Sequence, residues 1–349
     1  MSKAETHANI KLWRLEAVRG LAALYVAIGH GVEHTAKLAV FFRFGQEAVI
    51  CFFLLSGFVI ELSYSKGRDK TFGGYFIRRF IRIYGVFVPM LIVCMVTLAP
   101  NFQEPSFWRT LAGNLAMLQD FSAGKPNVIV PTIFASALWS LHYEWWFYML
   151  YYPIRTNLMH KYQSYLVTGS SVASALLYIW LPYALPRLLM YFVIWWIGVD
   201  MARSYESRGK VMLIDIRVPF IGAIIVSSIL VVNCFSQGRS VQLGIHPYVE
   251  PRHFIAAIAI VALAFAWQKA NWKGFAILRP GVLIAPISYS LYISHQPLVV
   301  HASYLAGLGN PWIRYSFYII ITLIFCWATE LKLYPLLRSL VTRLGLIKP

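Results

Sequence analysis

The sequence predicts an all-α fold: a polytopic membrane helical bundle of about ten transmembrane helices, oriented N-in and C-in. Hydrophobic residues make up 59% of the 349 and charged residues only 13%, and the mean hydropathy of +0.61 lies outside the usual soluble range. Apolar stretches of about 18 or more residues recur from end to end, with no polar block large enough for a separate soluble domain. Lys and Arg fall unevenly between those stretches. The segments on the side of the N-terminus carry 22 of them and the opposite segments 8, with Arg19 in neither group, and the positive-inside rule then places both termini in the cytoplasm. Residues 1–349 read as a single integral-membrane domain with short cytoplasmic tails, about 1–14 and 335–349.

The first span, 15–33, follows the polar segment MSKAETHANIKLWR and contains Arg19 without a small-residue cleavage site, so it is expected to be retained rather than removed as a signal peptide. The second, 45–64, carries the small turn Ser56-Gly57-Phe58, suited to close helix packing. The third, 78–99, is entered through Arg78, Arg79 and Arg82. A long outer connection, 101–136, surrounds the apolar segment FWRTLAGNLAML with Pro105, Pro126 and Pro131; that segment is too short to span and reads as interfacial or re-entrant. The remaining spans are 137–155, 163–182, 186–203, 217–236, 253–268, 282–305 and 312–334, with a second outer loop at 237–253 rich in Gly, Pro and His. No internal repeat of the transporter kind is seen. The net charge of +17 is therefore mostly topogenic and gives no reason to expect nucleic acid as a partner. Cys51, Cys94, Cys234 and Cys326 are widely separated inside apolar stretches without metal-ligand spacing, which predicts core thiols and no metal.

Four constellations carry chemistry. Arg19 and His30 are eleven residues apart in LEAVRGLAALYVAIGH, which puts both on one helix face, about 16 Å apart along the axis. Glu16 stands one turn before Arg19, placed for an i, i+3 pair. A lone intramembrane histidine is most simply a structural hydrogen bonder. An ionisable pair in a membrane helix is costly enough to imply a polar cavity, however, and a neutral imidazole suits proton abstraction from a hydroxyl near neutral pH. Arg79 and Arg82, one turn apart with Arg78 beside them, present planar guanidinium groups fit for phosphate, whereas Lys66, Arg68 and Lys70 read as topogenic and lipid-facing.

In Trp139 to Tyr148 (WSLHYEWWFY), Ser140, Glu144 and Tyr148 share a face, as do Trp139 and Tyr143. An aromatic belt accounts for the rings but not for Glu144, which at that depth needs a partner or a proton. In Ile287 to Pro297 (ISYSLYISHQP), Ser288, Tyr292 and His295 line one face, and Pro297 frees a carbonyl nearby. Interhelical hydrogen bonding suits most of these residues, which leaves His295 as the site candidate.

Together these segments resemble acyltransferase family 3, the integral membrane O-acyltransferases. Arg19-x10-His30 is similar to its R/K-x10-H signature, Cys51 to Ile60 (CFFLLSGFVI) to its FF-x-LSGF turn, and Arg79-x-x-Arg82 to its R-x-x-R. Trp139 to Tyr148 resembles its WSL-x-x-E-x-x-FY segment, and Ile287 to Leu298 its ISYSLYL-x-H-x-PL segment. Three positions depart: His142 replaces a small or apolar residue, Ser294 a frequent Trp, and Gly85 a common Pro. They leave the reaction type intact and bear on acceptor identity.

The resemblance implies an O-acetyltransferase in the bacterial inner membrane, with acetyl-CoA (or another acyl-CoA) as co-substrate and a cell-surface glycan or lipid-linked sugar as acceptor. It implies His30, Arg19 and Glu144 as catalytic residues: His30 as general base, Arg19 steering the donor, and Glu144 orienting a histidine or the acceptor. Arg78, Arg79 and Arg82 would hold the donor, and Trp139, Ser140, His142, Tyr292 and His295 would contact substrate. Membrane lipids are the remaining expected partners, and a homo-oligomer is a possible assembly. Two other readings are a transporter or exporter using Arg19, His30, Glu144 and His295 as a relay, and a lipid-modifying membrane acyltransferase with a lipid or peptide acceptor.

Overall fold

The computed structural model describes residues 3–31, 40–238, 240–269 and 277–348; of the basic residues counted above, Lys37, Arg239 and Lys273 lie outside them. The chain forms α1 (Lys3–Gly31), α2 (Gly45–Lys66), α3 (Phe72–Leu98), α4 (Pro105–Leu115), α5 (Trp139–Asn157), α6 (His160–Trp180) and α7 (Ala184–Arg208). It continues with α8 (Leu213–Ser236), α9 (Val249–Lys269), α10 (Arg279–Ile284), α11 (Ser288–His295), α12 (Pro311–Cys326) and α13 (Tyr334–Arg343). Gln119–Asp120 pairs in parallel with Val130–Pro131. Among the described residues, six helices are long and apolar enough to cross a membrane: Gly45–Lys66, Phe72–Leu98, Ala184–Arg208, Leu213–Ser236, Val249–Lys269 and the continuous Pro311–Arg343. This is an integral membrane protein. The other expected spans are helical but less apolar: α1 carries Arg14, Glu16 and Arg19, α5 is aromatic and polar, and α6 is rich in Ser and Tyr.

Short connections, 67–71, 158–159 and 209–212, lie at one end of the bundle, and the long ones, 99–138 and 237–248, at the other. The short-loop end is closed by local chemistry. The Thr71 side chain accepts from Gly74 N to cap α3, and Gly209, at φ 65°, terminates α7 in the left-handed region. Helix α7 is the axis of the bundle, with Arg187, Trp195 and Trp196 wholly buried. It crosses α2 at glycine: a Cβ on Gly57 would lie 2.0 Å from the Trp195 carbonyl oxygen, and one on Gly198 would lie 2.0 Å from that of Leu54. The small turn in the second span thus serves close packing, as its sequence predicts.

Two spans differ from expectation. The stretch 282–305 breaks into α10, a 3₁₀ turn at Ala285–Ile287, α11 and a wide π-helical turn at Gln296–Val300. Pro286 and Pro297 cause this, since each lacks an N–H and its ring clashes with the carbonyl four residues back. The last helix, expected to stop near 334, runs on to Arg343 through a second wide turn at Trp327–Leu333. Its far end stays helical because α13 packs on α3, and the following tail is held where Lys348 N donates to Asp69 Oδ2 at 3.4 Å.

Candidate active site

A cavity of about 280 Å³ opens between α1, α2, α3, α5 and the broken 279–300 segment. Arg19, Arg79 and Arg82 line it, together with Ser56, Ser140, Glu144, Tyr148 and Tyr292, against an apolar wall that includes Phe52, Val59 and Ile60. Residues from all four constellations read from the sequence therefore meet there, brought together from positions up to 273 residues apart.

Arg19 is set by a glycine contact and a proline break. Gly20 and Gly281 let α1 and α10 touch, for a Cβ on Gly20 would fall 1.9 Å from the Gly281 carbonyl oxygen. In the 3₁₀ turn at Pro286 the Ala285 carbonyl accepts from the Ser288 backbone N–H and also from Arg19 Nη2 at 3.1 Å and Ser288 Oγ at 2.8 Å. Arg19 Nε is buried without a hydrogen-bond partner. Glu16, expected one turn away, is exposed.

The basic run divides three ways. Arg78 turns to the α2–α3 connection, donating to the Asp69 carbonyl at 2.8 Å and pairing with its carboxylate at 3.5 Å, and it does not line the cavity. Arg79 does, lying 5.8 Å from the ring centres of both Tyr75 and Tyr148, with its Nε buried and unpartnered. Arg82 pairs with Glu330 and lies 5.2 and 5.3 Å from the rings of Tyr289 and Tyr334.

On α5 the Ser140, Glu144 and Tyr148 face points into the cavity. Glu144 Oε1 accepts from the Tyr148 hydroxyl and from Ser56 Oγ, and Ser56 also receives Trp195 Nε1 at 3.2 Å. The bonds of this carboxylate thus go to hydroxyls and not to a histidine. Ser140 Oγ lies 2.9 Å from the Tyr292 hydroxyl, which donates to the Ala137 carbonyl at 2.7 Å.

Trp139 and His142 are elsewhere. His142 Nδ1 lies 2.7 Å from the Met117 carbonyl, and Trp139 stacks on His253 at 5.6 Å under the Lys125 ammonium. Both belong to a second buried cluster, where the long connection is fastened to the bundle. Asp120 accepts from Lys125 at 3.0 Å, Arg187 at 3.1 Å and Tyr143 at 2.7 Å. Burial alone would raise the Asp120 carboxyl, but the two cations hold it at about 2. Burial lowers Lys125 to about 8 against the pull of Asp120, so it remains an ammonium at neutral pH. The connection carries Ala99, Met117, Asn127 and Phe134 at positive φ, a strained backbone that such side-chain bonds hold in place.

His30 and His295 form a pair. His295 Nε2 lies 3.0 Å from His30 Nδ1, and the rings stack at 5.1 Å. Each Nδ1 also faces a helix carbonyl one turn back, Leu291 O at 3.2 Å for His295 and Val26 O at 3.1 Å for His30. A carbonyl only accepts, so His295 carries its proton on Nδ1 and offers the Nε2 lone pair. His30 Nδ1 then faces two acceptors and must be the N–H, which leaves Nε2 as the basic nitrogen of His30. The pair stands behind Tyr292, whose ring centre is 6.3 Å from that of His295.

A family model described as an acyltransferase domain matches residues 12–331. The chain belongs to acyltransferase family 3. It is also similar to acyltransferase MdmB of Streptomyces mycarofaciens, with 27% identity over 332 residues covering 85% of this chain and 81% of that one. No solved structure matches it. In this family 3 acyltransferase, sequence reasoning missed Glu330, Tyr289 and Tyr334 around Arg82 and assigned Ser56 only a packing role. One signal pointed to Glu330: it is the sole acidic residue in 312–334, and the cost that marked Glu144 applies to it equally.

Proposed function

We propose that the protein transfers an acyl group, specifically acetyl, from a coenzyme A thioester to a hydroxyl of a cell-surface glycan or glycolipid. It would act from a bacterial inner membrane with ten spans and both termini cytoplasmic. The observation that supports this most is the three-arginine cavity with a histidine pair behind the Tyr292 side chain of its lining. Arg79 and Arg82 suit the donor's phosphates with charge-assisted hydrogen bonds. The pantetheine arm then runs along the face of α1 from Arg19 toward His30, a distance of about 16 Å. His30 Nε2 takes the proton of the acceptor hydroxyl as its oxygen attacks the thioester carbonyl. The C–O bond forms, the C–S bond breaks, and the proton passes from His30 to the departing thiolate. His295 holds the reactive tautomer of His30. Glu144, presented by Tyr148 and Ser56, orients the substrate at the cavity wall.

Membranes containing the protein should label a glycan from radioactive acetyl-CoA. His30→Ala should lower the rate by about 10² to 10⁴ without changing membrane insertion. Normal glycan acylation by a well-expressed His30→Ala protein would refute the base assignment, and failure of the wild type to transfer would refute the reaction.

A further inference from the structure

Glu330 sits in the wide turn Trp327–Leu333, 4% exposed, and is absent from the cavity lining. One carboxylate oxygen takes Arg82 Nη1, and the other accepts the Ser290 backbone N–H at 3.3 Å. The Arg82 side chain is 27% exposed and lines the cavity between the Tyr289 and Tyr334 rings. The carboxylate therefore stands behind the cation, with no access of its own to a molecule in the cavity. Burying a carboxylate is costly before pairing, and wide helical turns of this kind gather at functional positions. Arg19 and Arg79 face the same space. Without Glu330 the cavity would present three cations to a polyanion with Glu144, bonded to hydroxyls, as the one acidic side chain in its lining, which favours tight capture and slow release.

We propose that Glu330 is the resident counterion of the donor cavity: it fixes the Arg82 guanidinium and offsets its charge so that the spent nucleotide carrier can leave. This rests on the reading of the cavity as the acyl-CoA site. Glu330 acts through Arg82 and is a positioning residue. Glu330→Gln retains the shape and an oxygen for Arg82 while removing one negative charge. Coenzyme A should bind the purified full-length Glu330→Gln protein about five- to tenfold more tightly than wild type, with a steeper loss of affinity as salt rises. Steady-state turnover should fall while single-turnover transfer holds, because release becomes limiting. Glu330→Asp should stay near wild type.

A second route covers a Glu330→Gln protein that does not fold. Arg82→Gln alone leaves the carboxylate without its cation and should bind coenzyme A poorly, whereas Arg82→Gln with Glu330→Gln restores the net charge and should bind better than Arg82→Gln. Unchanged or weaker binding by a Glu330→Gln protein with the wild-type melting temperature, or no gain in the double variant, overturns the counterion role. No coenzyme A binding to the wild type would instead refute the donor reading on which this role depends.

Discussion

Two of the buried charge clusters in this bundle are built from the same residue types and set to different tasks. At the long-loop end Asp120 is matched by Lys125 and Arg187, and Glu250 by the Tyr178 hydroxyl at 2.7 Å and the His246 ring at 3.2 Å. At the cavity, three guanidinium groups line one space. Glu330 takes one of them, and the bonds of Glu144 go to hydroxyls. The first cluster has nearly all its charge answered inside the protein, which makes it a fastening. The second keeps cationic capacity beside an open volume, which makes it a receptor for an anion. Surplus charge next to space, more than the presence of charge in a membrane bundle, separates a site from a staple.

The fastening should break hardest. Asp120→Asn leaves Lys125 and Arg187 buried without their carboxylate, a change that costs about 3 to 5 kcal/mol. Because the folded Asp120 carboxyl is held at about 2, below its ordinary value of 3.8, its contribution is complete above that ordinary value and is lost as pH falls through about 2. The stability gap between wild type and Asp120→Asn should therefore narrow between roughly pH 4 and pH 2. A gap that persists unchanged at pH 2, in detergent melts of both proteins, would show that packing and not charge accounts for the loss.

The receptor should respond through ligand rather than stability. Arg79→Gln removes a guanidinium whose Nε has no protein partner, so the melting temperature should hold while the KM for acyl-CoA rises about tenfold, the value of one charge-assisted hydrogen bond. Arg78→Gln is the control, because its partner is Asp69. An equal rise in KM for both variants would mean that the run acts as a diffuse basic patch and not through the cavity.

What was legible in the sequence follows periodicity and cost. The shared face of Arg19 and His30, and that of Ser140, Glu144 and Tyr148, came from helical spacing, because one continuous helix fixes relative direction. The break at Pro286 was visible as a residue, but its consequence was not: the Ala285 carbonyl of the 3₁₀ turn formed there serves Arg19, 266 positions away. Glu330 and Arg82 are 248 positions apart, and His295 lies 265 from His30. Such pairings depend on how α1, α3, α11 and the last helix pack, which no local pattern encodes. His142 was misleading for a related reason. It shares the segment of Glu144 but lies on another face of α5, turned to the long connection.

That position gives the smallest expected effect and the sharpest boundary between the two regions. His142 Nδ1 bonds the Met117 carbonyl, and Trp146 Nε1 donates to the same oxygen at 2.9 Å. Removing the imidazole with His142→Ala therefore leaves the carbonyl satisfied and forfeits one ordinary hydrogen bond and some packing, about 1 kcal/mol. Transfer kinetics should be unchanged, because the ring reaches neither the cavity lining nor the His30–His295 pair. A rise in acceptor KM with donor KM constant would be the contrary outcome. It would mean that the acceptor approaches over the long connection and that the fastening is also part of the site.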